Sequence, residues 1–237
     1  MPPDVSPLPP PASGTTPLRL PRVADVDLAR AVEGAEWPPV SAATLPLRQN
    51  WLPQTEPAFL PGTVALAASE QALLVFADLT DESIQTTATA DQEPLWERGD
   101  VFEIFLQSYG AELYLEFQIA PNGRRLHLLY PGLGFSRSAG LEPYIRRDRS
   151  IDFALKLDPA NSRWRIAARI PMAPLVPARP RLNGQEWRMA FCRYDYDAAG
   201  QFCLSSTAPL TKPSFHRIGE WSRITIPGGF PDSTLAP

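Results

Sequence analysis

The stretch WERGDVFEIF, Trp96 to Phe105, decides how this chain folds. After the turn signal Gly99-Asp100, a strand reading puts Phe102, Ile104 and Leu106 on one face. Glu103, Phe105 and Gln107 take the other. The next candidate strand, LYLEFQIA at 113–120, repeats the pattern, with Leu115, Phe117 and Ile119 on one side and Tyr114, Glu116 and Gln118 on the other. One face of the pair is built for a core. The other carries acids and amides and is a surface on which a ligand can be bound.

Working outward, further strand candidates fall at 124–130, 151–157, 163–170, 187–195, 201–206 and 221–226, separated by segments rich in Gly, Pro, Asn or Asp. Upstream, TVALAASEQALLVFADL reads as a hairpin about Ala68-Ser69-Glu70-Gln71. No long 3.6-residue periodicity occurs; 82–92 and 172–178 are short and broken, so helix is minor. The fold class that follows is all-β, an antiparallel two-sheet β-sandwich. Six of the first eleven residues are Pro, so 1–20 reads as a disordered tail whose removal leaves stability unchanged, and 21–237 as the domain. From Pro21 to Pro61 the scattered apolar residues suggest a wrapping segment with short edge strands.

Composition excludes several classes of function. With a net charge of −4 and a pI near 5.3, the chain offers no electrostatic footprint for nucleic acid. No apolar run approaches the ~20 residues that span a bilayer, and the first residues have neither the cationic nor the apolar region of a signal peptide. Cys192 and Cys203 are the only cysteines. A turn at Asp197–Gly200 does not set them opposite one another, and two buried thiols are the simpler reading, leaving the compartment unspecified.

Asn122-Gly123 is a hairpin signal, and a two-residue loop there pairs Phe117 with Leu128 and Gln118 with His127. Arg125, His127 and Leu129 then share the face of Glu116 and Gln118, unless Pro121 shifts the register. The face is either a polar binding patch or merely solvated. Asp100 and Glu103 differ by an odd number, so they point to opposite sides and cannot flank one scissile bond; Asp100 reads as a turn residue. No nucleophile elbow, zinc-protease motif or nucleotide-binding glycine pattern is present. His127 and His216, with Met1, Met172 and Met189, are the side chains that could ligate a haem axially, although no spacing brings two together.

Taken together, WERGDVFEIFLQSYGAELYLEFQIAPNGRR resembles the central signature of family 9 carbohydrate-binding modules and the wider DOMON-like superfamily. An acidic strand of form D-x-x-E-x-F is followed there by a strand with an aromatic, a polar residue and a P-x-G turn. SRWRIAARIPMAPL is similar to the family's segment into its Ile-Pro turn, and PSFHRIGEWSRITI to its C-terminal strand, so the likeness runs over about residues 60–226. It implies a non-catalytic β-sandwich of jelly-roll type that clamps a sugar between two aromatic rings. Carried over by motif, the carbohydrate-binding residues are Trp96 and Phe215 as rings, Glu103 and Gln118 beneath them, and His216 beside Phe215; the hairpin register adds His127 to the candidates.

Three positions depart from the sugar-binding pattern: Phe215 where Trp can stand, Gln118 where Arg can stand, and Ala167 where an acid is common. The expected partner is a mono-, oligo- or polysaccharide, with no cofactor required. Bound calcium is what the resemblance would add, members are often secreted, and the rival roles it leaves open are a haem-binding electron-transfer domain and an accessory domain without a small ligand.

Overall fold

The computed structural model describes residues 16–132, 140–147, 151–172 and 186–228. The strands are β1 (Leu18–Arg19), β2 (Ala43–Pro46), β3 (Gly62–Ala68), β4 (Ala72–Thr80), β5 (Val101–Ser108), β6 (Tyr114–Ile119), β7 (Arg125–Tyr130), β8 (Asp152–Asp158), β9 (Arg163–Pro171), β10 (Glu186–Tyr196), β11 (Phe202–Ser206) and β12 (Ser222–Thr225). They form two sheets. One has the order β1-β12-β10-β5-β6-β7, with β11 also paired to β10; the other runs β2-β3-β4-β9-β8. Every pairing between these strands is antiparallel except β1 with β12. The expected all-β sandwich is what the chain adopts.

Alternation in β5 and β6 does what the sequence predicts. Phe102, Ile104, Leu106, Leu115, Phe117 and Ile119 point between the sheets and meet Val64, Leu66, Val75, Trp164, Ile166 and Ile170. Phe102 stacks on Phe191 of β10 at 6.4 Å. Each such fully buried side chain contributes roughly 1.5–3 kcal/mol by leaving water.

Neither outer face is bare. The one α-helix among the described residues, α1 (Leu28–Glu33), is capped by Asp27, whose Oδ1 accepts from the Arg30 N–H at 3.1 Å. It lays Leu28, Ala31 and Val32 on Ala65, Ala67, Leu74, Phe76 and Ala167 of the five-stranded sheet. Alanine at three of those strand positions lets the helix come close, and Trp37 packs edge-on against Phe76 at 5.8 Å. The wrapping segment 21–61 thus holds a helix as well as the edge strand β2. Segment 82–92 carries no helix, and 173–178 lies outside the described residues.

Two sequence readings need correction. The boundary drawn at residue 20 falls too late: Leu18 pairs with Ile224, the Leu20 N–H donates to Thr225 O at 3.0 Å, and Leu20 is 1% exposed in the core. An N-terminal run without alternation still joins a sheet when its partner strand supplies the pattern. The β6–β7 register is the second correction. Phe117 pairs with His127 and Gln118 with Leu126, one residue from the two-residue-loop reading. Gly123 N donates to Ala120 O at 2.9 Å and Gly123 has φ +82°, so the loop is Pro121-Asn122-Gly123, a turn with Pro second followed by a left-handed glycine. Proline's fixed φ favours that second turn position, and the loop gains a residue.

Leu20→Ala should therefore lower stability by about 2–4 kcal/mol, as core leucine truncations do. Chemical denaturation measures this. A change within error would place Leu20 outside the core.

Candidate functional site

The outer face of the seven-stranded sheet carries the site. Glu103 pairs with Gln118 across β5–β6 and with Cys192 across β5–β10, while Glu116 pairs with Phe105. Glu103, Glu116 and Gln118 therefore sit together on one face, with Glu116 diagonal to Glu103. Gln118 Nε2 donates to Glu116 Oε1. Glu116 Oε2 and Gln118 Oε1 are buried with no hydrogen-bond partner among the described residues.

Above the two glutamates opens a cavity of about 580 Å³, walled by Trp96, Tyr130, Tyr144, Tyr194, Phe215 and His216. Its size falls within the range of small-ligand sites. Trp96 rides on a 3₁₀ turn, Leu95–Glu97, anchored by buried Leu95 and by Tyr196 Oη, which donates to Trp96 O at 2.6 Å. Gly99 follows with φ +136°, and a Cβ there would meet Gln85 O at 2.4 Å, so glycine is required where the chain swings from the wall into β5. On the opposite wall, Trp221 Nε1 donates to Phe215 O at 2.7 Å. His216 is held by the edge of Phe105 at 5.4 Å and by Tyr114 Oη, 2.8 Å from its Nδ1.

Burial governs the electrostatics. Glu103 and Glu116 are 3% and 2% exposed, and loss of solvation pushes both carboxyls well above the usual range. Their mutual repulsion adds to the shift of Glu103, while the Gln118 amide opposes that of Glu116. The same burial raises Tyr194 and Cys192, with the two glutamates contributing. His216 Nε2 lies 3.9 Å from Glu116 Oε2, too far for a hydrogen bond and close enough for attraction when the ring is protonated.

The structure brings together Trp96, Glu103, Phe215 and His216 at the cavity, with Gln118 beneath as the partner of Glu116. Phe215 is only 5% exposed, wedged against Tyr194 at 5.5 Å and Phe105 at 6.3 Å, and so forms a wall with little open face. His127 does not belong to the site. The corrected register turns it to the inner face, 1% exposed and edge-on to Phe117 at 5.0 Å. Ala167 lies under α1 in the other sheet, so its identity has no bearing on the cavity. The sequence reading missed Tyr130, Tyr144 and Tyr194. Tyr130 would have followed from a three-residue loop after β6, which gives the outer face to Leu126, Leu128 and Tyr130.

A second charged cluster stands where β4, β5 and β10 converge. Asp81, Asp100 and Asp195 bring carboxylate oxygens within 4.8 Å of one another. Arg193 lies among them, donating through Nη2 to Asp81 and Asp195, both at 2.8 Å, and through Nη1 to Thr80 O at 2.6 Å. Asp100, read from the sequence as a turn residue, is fully buried and accepts from Gln85 N at 2.6 Å and Tyr196 N at 2.7 Å. A calcium ion takes six to eight oxygens, whereas these are already committed to a guanidinium and two amides, so the cluster does not fit calcium. For haem, His127 and His216 lie on opposite faces of the sheet, and Met172 and Met189 are in the inter-sheet core, so His127, Met172 and Met189 cannot oppose His216 across the cavity; Met1 lies outside the described residues.

Comparison with known proteins bears on the fold. No family model and no curated protein matches the chain. Among solved structures, a "putative carbohydrate-binding protein" from Bacteroides uniformis superposes with a TM-score of 0.67 at 18% identity, covering 88% of this chain and 98% of the other. A family 9 carbohydrate-binding module from Caldicellulosiruptor kristjanssonii in complex with cellotriose gives 0.58 at 15% identity, over 92% and 98%. The complex of a family 9 module of the same organism with glucose gives 0.56 at 13%, over 93% and 99%. The fold of this chain is that of the family 9 modules.

The buried acids set a pH dependence. Besides the glutamate pair, Asp100 and Asp195 are pushed up to about 7, by burial first and then, in Asp100, by Asp81. Each group holds its proton to higher pH in the folded chain than in the unfolded one, so its contribution is complete below the ordinary carboxyl range and lost as pH rises through the folded value. The wild type should melt higher at about pH 5 than at about pH 8, and Glu103→Gln, which cannot ionise, should narrow the gap. Melting curves at the two pH values check this. A midpoint that rises with pH in this window and ignores the substitution would contradict it.

Proposed function

We propose that this protein binds carbohydrate without transforming it, holding a sugar against Trp96 over the Glu103–Glu116 floor. The observation that carries the reading is the pairing of a half-buried indole with two buried carboxylates in one cavity. Sugar C–H faces stack on aromatic rings, and the hydroxyls then need a few fixed acceptors at the edge. Glu103 and the unpartnered Glu116 Oε2 supply them. The likeness to modules solved with cellotriose and glucose supports the same ligand class.

A binding role, and not hydrolysis, is what the carboxylate placement favours. Glycoside hydrolases set two carboxyl groups on either side of the scissile bond. Here both glutamates rise from neighbouring strands of one floor and meet a bound sugar from the same side.

Isothermal titration with glucose and cello-oligosaccharides tests the proposal. Trp96→Ala should abolish detectable binding by removing the stacking surface. Glu103→Gln should weaken it by about one to two decades, the worth of charge-assisted hydrogen bonds. Both variants should remain folded, since Trp96 is half-buried and Gln fills the volume of Glu. A wild type that ignores mono-, oligo- and polysaccharides would overturn the reading.

A further inference from the structure

The charge inventory of the cavity goes beyond a generic sugar site. Among its described lining residues are three carboxylates, Glu97, Glu103 and Glu116, and neither lysine nor arginine. Neutral hydroxyls can be fixed by mixed donors and acceptors, but a floor of two adjacent buried glutamates offers paired carboxyl oxygens that only a cation can hold ionised together. Gln118 adds one amide, whose Nε2 is already spent on Glu116 while its Oε1 is a further buried acceptor without a partner. The only basic side chain on the described wall is His216. Its Nδ1 is engaged with Tyr114, and its Nε2 stops 3.9 Å short of Glu116 Oε2. The walls point the same way: Trp96, Tyr130, Tyr144, Tyr194 and Phe215 offer aromatic rings around the acids, and the faces of such rings attract cations.

Resting on the carbohydrate reading, we infer that the preferred ligand is an amino sugar with its amine unsubstituted and protonated. An ammonium group carries three donors and a full charge. It can contact Glu103 and Glu116 at once and stabilise the ionised form of a pair that burial and mutual repulsion otherwise keep protonated. Acylation of the amine removes the charge, two of the three donors and the fit to that floor. A hydroxyl in the same place donates once and leaves the second carboxylate unrelieved.

Three β-1,4-linked disaccharides isolate the effect, because they differ only at C2: diglucosamine with free amines, its fully N-acetylated form, and cellobiose. Calorimetric titration of the full chain at about pH 7 should find the free-amine disaccharide about tenfold tighter than either of the others, as expected when a neutral hydrogen bond becomes charge-assisted. In Glu116→Gln that advantage should shrink to about twofold or less; Glu103→Gln, judged folded by its melting curve, provides the same readout independently. Equal binding of the free-amine disaccharide and cellobiose, or tighter binding of cellobiose, would overturn the inference while leaving carbohydrate binding intact. Failure of all three to bind, with no other saccharide bound, would overturn both.

Discussion

Two carboxylates cannot share a dry sheet face without help, and the molecule is organised around that constraint. Glu103 and Glu116 are brought together by the β5–β6 register and shut off from bulk water by the loops above them. That register is in turn fixed by the opposite faces of the same strands, where Phe102, Ile104, Phe117 and Ile119 must point into the inter-sheet core. A slip of one residue would send the glutamates into the core and the phenylalanines outward. The core thus enforces the placement of the acids, and the acids limit what the outer face can accommodate.

Two-sheet packing alone would leave both outer faces wet. Here α1 and Trp37 cover the five-stranded sheet, and the segments carrying Leu95, Ala208, Leu210, Phe215, Ile218 and Trp221 cover much of the other. The cavity is the part of that second cover which does not close. Its walls are stiff because each ring is braced: Trp96 through the Tyr196 hydroxyl, Phe215 through the Trp221 indole, His216 through Tyr114. Just before the start of β5, three residues from Glu103, Arg193 bonds Asp81 and Asp195 while two backbone amides bond Asp100, so that one acid cluster is satisfied internally and the proposed function assigns the other to a ligand. The contrast between those clusters is the physical basis for assigning the second to binding.

Much of this was legible in the sequence, because period-two alternation survives wherever one face of a strand meets a core. The strands of the β3–β4 hairpin and β5 to β12 fall where the alternation puts them, and the same pattern singles out Glu103. Failure came where local chemistry outweighed pattern. Pro121 made the loop after β6 three residues long, and this one step moved His127 into the core and brought Tyr130 to the cavity. Leu18 and Leu20 lie in a proline-rich run with no alternation of their own, and their burial depends on β12, some two hundred residues away. Tyr144 sits on a short 3₁₀ turn that no periodicity marks, and α1 is too brief to show a helical repeat.

The central claim is that Glu103 and Glu116 form one coupled, ligand-facing pair. Carboxyl carbon NMR shifts of selectively labelled glutamates, followed against pH with and without a saturating sugar, measure it directly. The expected result is two resonances that titrate above the ordinary glutamate range of about 4.3 in mutually dependent steps, and that alone among the buried acids move when sugar is added. Glutamates that all titrate independently in the ordinary range, or a pair indifferent to every saccharide, would contradict it.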